Sequence, residues 1–444
     1  MALQREIINQ LRLIVGEGNI FTDVFDLEAY SFDSSMYTGL PDVVVLPESV
    51  QQVVGVVNLA GQYRVPLMAR GAGTCLSGGA VPIHGGIVLG LTKMNKVLEL
   101  DLDHERIVVE TGTVNLAVQK LVKQHGYLFA PDPASMKAST IGGNIAENAG
   151  GMHCVKYGNI REHILGLEVV LANGEVILTG EMDREYASPD LTSLFCGSEG
   201  TLGIITKAML RLTLVSEKIG TLLAVFENLD DAGNAVSQIL ANGLLPSSLE
   251  VMNEVITKAL IKYMNVDLSP NGEVTLLVEV EGYAVELEAQ MAIVRDSFIA
   301  NHAITFRSAK DQAERAKLWE ARQGINGIFG QLGSAQLVQD PSVPVDKIGE
   351  MMRETAKIGK KYGVIICQTC HAGDGNLQPA IMYDAKSEKQ HKMAEQASDE
   401  ILKIAIGLGG SVSGEHGIGI ENCDLCLSSL IKQNWFSWKS LSEC

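Results

Sequence analysis

Arg70-Gly71-Ala72-Gly73-Thr74-Cys75-Leu76-Ser77-Gly78-Gly79-Ala80 follows directly on a predicted strand, Val65 to Ala69, and its reading decides the fold. Glycines carry no Cβ, so such a loop can offer bare backbone N–H groups to a phosphate. A dinucleotide-binding βαβ unit would require a helix to open at these glycines. Here Pro82 and Gly85-Gly86 follow instead, and then another strand at Ile87-Val88-Leu89. The nicotinamide-type fold is therefore set aside, and a glycine-rich connection between strands remains the plain alternative for this loop taken alone.

The loop does not stand alone. Pro131-Asp132-Pro133-Ala134-Ser135, followed by Ser139-Thr140-Ile141-Gly142-Gly143-Asn144-Ile145-Ala146-Glu147-Asn148-Ala149-Gly150-Gly151, forms a second loop rich in glycine and small hydroxyls. Gly197-Ser198-Glu199-Gly200-Thr201-Leu202-Gly203 forms a third. Around them, Val43 to Leu46, Ile107 to Glu110, Leu167 to Leu171 and Ile204 to Thr206 read as strands, and Ser49 to about Gln62 as a helix. After about Ser216 the texture changes to longer helices, at Asp230 to Ala241, Val285 to Ala300, Asp311 to Gly330, Val345 to Lys361 and Ser387 to Ile406, with a strand at Glu273 to Glu281. The expected organisation is an N-terminal helical segment over 1–40, a nucleotide-cradling domain over 41–216, a cap or substrate domain over 217–421, and a divergent tail over 422–444.

A chain of 444 residues with 46% apolar content can bury more than one core. Its 53 acidic against 35 basic residues leave a formal charge of -18, which repels phosphate backbones and argues against nucleic acid as a partner. An anionic substrate must then be drawn in by a local cation. The N-terminus lacks the pattern of a secretory signal, and no apolar run approaches the length of a membrane span, so a cytoplasmic protein is expected, with any membrane contact peripheral and through partners. The eight cysteines read as reduced thiols.

The three ordered loops resemble the FAD-binding domain of the vanillyl-alcohol oxidase and p-cresol methylhydroxylase (PCMH) type. The segment Gly150-Gly151-Met152-His153-Cys154-Val155-Lys156-Tyr157-Gly158 and two later motifs narrow the resemblance to the glycolate oxidase, D-lactate dehydrogenase and 2-hydroxyglutarate dehydrogenase branch, over about residues 20 to 421. The resemblance implies an α+β chain: a two-subdomain PCMH-type FAD-binding domain followed by an α+β cap with an antiparallel sheet. It places Arg70, Gly71, Ala72, Gly73, Thr74, Ser77, Gly78 and Gly79 at the FAD pyrophosphate. Pro131, Asp132, Ser139, Thr140, Gly142, Gly143, Asn144, Gly150, Gly151 and Tyr157 would lie along the pyrophosphate and flavin, and Glu199, Gly200, Gly203 and Ile205 on the adenosine side. Where relatives with covalent flavin place a His in the first loop, this chain has Thr74-Cys75, so non-covalent FAD is implied.

Oxidising a 2-hydroxy acid needs a cation for the carboxylate and a base for the hydroxyl proton. His371-Ala372-Gly373-Asp374-Gly375-Asn376 and Ser413-Gly414-Glu415-His416-Gly417-Ile418-Gly419 each set an imidazole in a glycine-lined turn. By resemblance, His371 and Glu415 bind a divalent metal, His416 is the general base, and Arg322 takes the substrate carboxylate as a guanidinium fork. Without the resemblance, Arg322 reads as a solvated residue on a helix face. Relatives carry a second metal-binding His where this chain has Gln378, whose carbonyl oxygen is a harder ligand, so manganese competes with zinc as the expected ion. Relatives also continue past the second motif into a segment that returns to the flavin domain, and the tail from Glu421 to Cys444 departs from that pattern.

Cys367-Gln368-Thr369-Cys370-His371 fits the C-x-x-C-H haem-attachment pattern literally and is the strongest competing motif. Pairing Cys423 and Cys426 with Cys367 and Cys370 as a zinc site is disfavoured by the long gap between the pairs. The expected activity is FAD-dependent oxidation of glycolate or D-lactate to the 2-oxo acid by hydride transfer to flavin. Electrons would pass to a quinone chain or an iron-sulfur partner, within a glycolate oxidase complex holding a second FAD-like subunit. The alternative is a catalytically silent FAD-binding subunit of such a complex.

Overall fold

In the computed structural model, which describes residues 3–182, 189–264, 272–423 and 426, each apolar run predicted in the first half forms a strand. The chain divides into two units. The first comprises Met1–Gly151, Gly158–Val215 and Glu415–Glu421, and the second Met152–Tyr157, Ser216–Gly414 and Asn422–Cys444.

In the first unit, Ile20–Phe21, Val43–Val45, Ile87–Gly90 and Leu67–Arg70 lie in that order in a small sheet, the last three mutually parallel. Ser49 starts the helix Val50–Tyr63 by accepting a hydrogen bond from Gln52 N–H, the usual role of an N-terminal hydroxyl. That helix buries Val53, Val56, Val57 and Ala60 against Val43, Val45, Ile87 and Leu89, and the helix Arg5–Val15 adds Ile7, Leu11 and Val15. A separate five-stranded antiparallel sheet runs Val97–Asp101, Arg106–Glu110, Ile204–Arg211, Ile164–Val170, Val176–Gly180. Residues 71–86 contain no helix, in keeping with the exclusion of a dinucleotide fold.

The second glycine stretch differs from its reading as a loop, because Ile141–Glu147 is a helix. Two features outweigh the roughly 1 kcal/mol that each helical glycine costs relative to alanine. Thr140 caps it by accepting from Gly143 N–H, and Ile141 and Ile145, one turn apart, are fully buried among Val118, Val122, Phe129 and Leu167.

The second unit is built on a seven-stranded, wholly antiparallel sheet in the order Thr305–Ser308, Lys218–Phe226, Val274–Gly282, Ser248–Met252, Ile365–His371, Asn376–Tyr383, Ala335–Val338. One face is apolar over most of its length. Leu222, Ala224, Leu249, Val251, Leu276, Val278, Cys370 and Ile381 pack there on the helices Leu229–Ala241, Ala284–Ala300, Ile348–Tyr362 and Glu388–Gly407. The opposite face is mixed. Leu223, Val225, Met252, Leu277, Cys367 and Ala380 pack on Glu254–Met264, Gln312–Gln323 and Ile325–Leu332, while the alternate positions at one end carry charge.

The single helix expected over Asp311 to Gly330 is in fact two, with Gly324 closing Gln312–Gln323 and opening Ile325–Leu332. Among the described residues no helix is long and apolar enough to cross a membrane. Of the tail read as divergent, residues 424, 425 and 427–444 lie outside the described residues.

Candidate active site

The helix Gln312–Gln323 begins at Asp311, whose carboxylate accepts from Glu314 N–H at 2.8 Å while Glu314 reaches back to Lys310 N–H at 2.9 Å. So fixed, it brings Arg315, Trp319 and Arg322 onto one face at spacings of four and three residues. That face meets the mixed side of the sheet. Arg322 donates from Nε and Nη2 to Glu250 Oε2 at 2.8 and 2.7 Å, and is buried, not the solvated helix-face residue of its plain reading. Glu250 is completely enclosed, and its other oxygen accepts from His371 Nδ1 at 2.6 Å. Burial opposes charge on Glu250, but His371 and Arg322 outweigh it and hold the carboxyl below its usual range. A carboxylate can only accept, so His371 carries a proton on Nδ1.

A second carboxylate is held beside the first. Glu279, 1% exposed, accepts a two-pronged fork from Arg315 at 2.8 Å on each oxygen, the indole N–H of Trp319 at 2.6 Å and the Thr221 hydroxyl at 2.7 Å. His153 stacks on Trp319 and lies 3.6 Å from the same carboxylate. Burial would raise this carboxyl, yet His153, Arg315 and Trp319 together pull it down to about 2. Two residues further along the strand, Glu281 accepts from Lys156 at 3.0 Å and from the Tyr157 hydroxyl. Tyr157, expected along the flavin, is thus grouped with the second unit.

The His371-Ala372-Gly373-Asp374-Gly375-Asn376 motif is the hairpin joining two strands of this sheet, with His371 and Asn376 paired across it. Gly375 adopts φ +84°, and a Cβ there would run into the Val343 carbonyl oxygen. Its glycine is therefore demanded twice over. Gln378 pairs with Thr369, so Gln378 and His371 lie on the same face of adjacent strands. Cys367 and Cys370, three apart in a strand, belong to cores on opposite faces of the sheet. Alternation thus separates the thiols of the C-x-x-C-H pattern, which could not both grip one haem edge, and the same separation removes the four-cysteine zinc reading.

In the first unit the glycine stretches come together. A Cβ at Gly71 would overlap the Thr140 hydroxyl, and one at Gly79 would lie 3.1 Å from Glu147 Oε1 and 3.6 Å from Glu199 Oε2. Gly151 faces Asp132, whose Oδ1 and main-chain oxygen would be 2.5 and 2.7 Å from an added Cβ. Arg70 is buried and donates to the carbonyls of Ala80 and Phe32 at 2.6 and 2.7 Å, so it braces the first loop from beneath. Pro131 offers its carbonyl to Asn115 and Gln119, and the Ile205 carbonyl accepts from Thr111. Among the described residues, Ser139 Oγ and Asn144 Nδ2 are buried with no protein hydrogen-bond partner. An unmet buried polar group costs about 1–3 kcal/mol, so a polar ligand that supplies those bonds fits this cradle.

The second motif divides between the units. Ser413 and Gly414 bond to Asp340 in the second, while Glu415, His416 and the residues to Glu421 belong to the first. There Ser77 donates to the His416 carbonyl at 3.2 Å, and its own carbonyl accepts from Ile420 N–H at 2.9 Å.

Residues 41–180 match the family described as FAD binding domain, and residues 215–431 the family described as FAD linked oxidases, C-terminal domain. Glycolate oxidase subunit GlcD of Bacillus subtilis (strain 168) is 36% identical over 441 residues, 99% of this chain and 94% of that protein. The chain belongs to the FAD-linked oxidase family. A D-lactate dehydrogenase of Archaeoglobus fulgidus is 33% identical, covering 88% of this chain and 87% of its own. The structure of p-cresol methylhydroxylase with substrate bound superposes with a TM-score of 0.80 at 18% identity, over 97% of this chain and 92% of that one. The fold of this FAD-linked oxidase is accordingly a PCMH-type FAD-binding domain followed by a C-terminal domain with a large antiparallel sheet. The cradle of orphaned Ser139 and Asn144 lies within the matched FAD-binding segment.

Sequence reading did not single out Glu250, Glu279, Glu281 or Arg315. The signal available was a carboxylate set inside apolar strands, as in Leu249-Glu250-Val251 and Val278-Glu279-Val280-Glu281. A charge at such a position requires a partner.

Proposed function

We propose that this FAD-linked oxidoreductase oxidises a small 2-hydroxy acid, glycolate or D-lactate, to its 2-oxo acid. The observation that carries the proposal is the buried Arg322–Glu250–His371 cluster: a guanidinium and an imidazole fixed by one carboxylate on a sheet face. Arg322 has donors beyond the two that Glu250 takes, and a planar fork suits a substrate carboxylate that the chain's overall negative charge would repel. His371, with Nδ1 held by Glu250, has the tautomer in which Nε2 can ligate or accept a proton, the arrangement found when a carboxylate backs a metal-binding imidazole. His371, Gln378 and Glu415 are the residues that would hold a divalent ion. With one imidazole and two oxygens, the donor set suits manganese at least as well as zinc. His416 is assigned the removal of the 2-hydroxyl proton. FAD, when bound along the glycine loops, supplies the hydride acceptor.

The GlcD relatives are by name subunits of a glycolate oxidase, and assembly with further redox subunits is carried over as part of the proposal. Anaerobic addition of glycolate, D-lactate and 2-hydroxyglutarate to the FAD-loaded protein tests the reading. Bleaching of the flavin band by one of the three names the substrate, whereas a flavin that stays oxidised with all of them favours the silent-subunit alternative. For the metal, Gln378→His is expected to raise the manganese or zinc retained after desalting. Retention equal to that of the parent would contradict the ligand assignment.

A further inference from the structure

A pair of carboxyl groups in the first unit is built unlike those of the second. Glu147, at the end of the helix Ile141–Glu147, places Oε2 where a Cβ at residue 417 would be, and that atom is buried with no hydrogen-bond partner. Glu199, from the third glycine loop, accepts from Ile418 N–H at 2.8 Å and from Gly419 N–H at 2.9 Å. Ser77 in the first loop accepts from Ile420 N–H at 2.9 Å and Glu421 N–H at 3.2 Å, and donates to the His416 carbonyl. Backbone groups of residues 416 and 418–421 are thus bonded to Ser77 and Glu199 of the glycine loops, with the Glu147 carboxyl wedged against Gly417.

We propose that Glu147 and Glu199 are positioning residues for the segment bearing His416: Glu199 grips its backbone, and Glu147 permits docking by keeping a proton. The groups facing Glu147 leave it little choice. Glu199 approaches from the third loop, the Cys75 thiol from the first, and Asp33 acts from the segment before it. The docked segment presents Gly417, with Glu415 and His416 the titratable groups just before it. The charged groups facing it are carboxylates, its buried Oε2 has no hydrogen-bond partner, and the one opposing contact, a hydrogen bond with the Cys75 thiol that favours the ionised form, is outweighed. Burial first, and the like charge of Glu199 second, push Glu147 up to about 8.

The sign follows from proton linkage. Undocking exposes Glu147 and returns it toward an ordinary carboxyl, so the docked state holds one more proton between about pH 5 and about pH 8. Docking therefore weakens as pH rises through that window, by up to about tenfold per pH unit, and levels off above it. The assignment of His416 as base belongs to the proposed function, but docking can be read without any turnover.

Hydrogen–deuterium exchange of the FAD-loaded full chain, corrected for intrinsic rates, would follow the amides of Ile418, Gly419 and Ile420 across that range. The expected result is protection that falls with pH in the parent and is nearly flat in Glu147→Gln, an isostere of the neutral acid. Equal pH dependence in the two proteins would overturn the proposal. Should the variant fail to fold, isotope-edited infrared spectra of the parent decide: a protonated carboxyl band lost between about pH 6 and about pH 9 supports Glu147 as the proton holder, and no such band contradicts it. A flat exchange profile alongside normal substrate-dependent flavin bleaching would sink this inference while leaving the proposed reaction standing.

Discussion

Buried glutamates are treated in opposite ways by the two units. In the second, Glu250 and Glu279 sit deep on a sheet face and are saturated by cations and donors: Arg322 and His371 on one, Arg315, Trp319 and Thr221 on the other. Both are held below the ordinary carboxylate range. In the first, burial is joined by the like charges of Glu199 and Asp33, which outweigh a hydrogen bond from the Cys75 thiol, and Glu147 is driven upward instead. The residue type and the desolvation are shared, so the partners alone decide whether the site carries a charge or a proton. The contrast also separates roles. A charged, fully paired carboxylate can fix the direction of an arginine and a histidine, whereas a neutral one can fill space against a backbone that a charge would expel.

The largest effect is expected from Arg322→Ala. It leaves Glu250 buried with only His371 as partner, a loss of about 3–5 kcal/mol for breaking such a pair, and it removes the proposed carboxylate clamp. Denaturant unfolding at neutral pH checks the first consequence, and stability within about 0.5 kcal/mol of the parent would show that the pairing is dispensable.

Glu279→Gln and Glu147→Gln are the same chemical change and are expected to have opposite signs. Glu279 is depressed, so its contribution is present above the ordinary carboxyl pKa and lost as pH falls toward about 2. The variant should be less stable by about 3 kcal/mol at neutral pH and lack that acid-side loss. Glu147 is raised, so the folded parent loses stability as pH climbs from the ordinary carboxyl range to about 8. Its variant escapes that loss and should gain about 1 kcal/mol at neutral pH, allowing for the burial of an amide. Melting temperatures measured across pH for both proteins check the pair, and two changes of the same sign would break the comparison. The smallest effect is local to the first unit: Thr140→Ala removes the cap on Gly143 N–H and should cost about 1 kcal/mol, read from the same melts.

Much of the first unit was legible in the sequence, because glycine loops are local statements about backbone and need no distant partner to be read. The hairpin at His371–Asn376 was legible for the same reason. The helix Ile141–Glu147 was not, since its glycines pointed to a loop and only the burial of Ile141 and Ile145 tips the balance. In the second unit Arg322 was found through resemblance, but the carboxylate that fixes it lies 72 residues away in sequence, and the His371–Glu250 bond spans 121. Pairings of that reach leave no local pattern beyond a charge in an apolar strand. The alternation that puts Cys367 and Cys370 on opposite faces became decisive only once that segment was known to be a strand.

The central claim, that Arg322 receives the carboxylate of a 2-hydroxy acid, is tested most directly by anaerobic stopped-flow reduction of the bound flavin. The parent and Arg322→Ala would be compared side by side with glycolate and D-lactate. Rapid bleaching is expected in the parent and at least about a hundredfold slower reduction in the variant at subsaturating substrate, the effect of losing a charge-assisted fork. Reduction of the variant at the parental rate would contradict it.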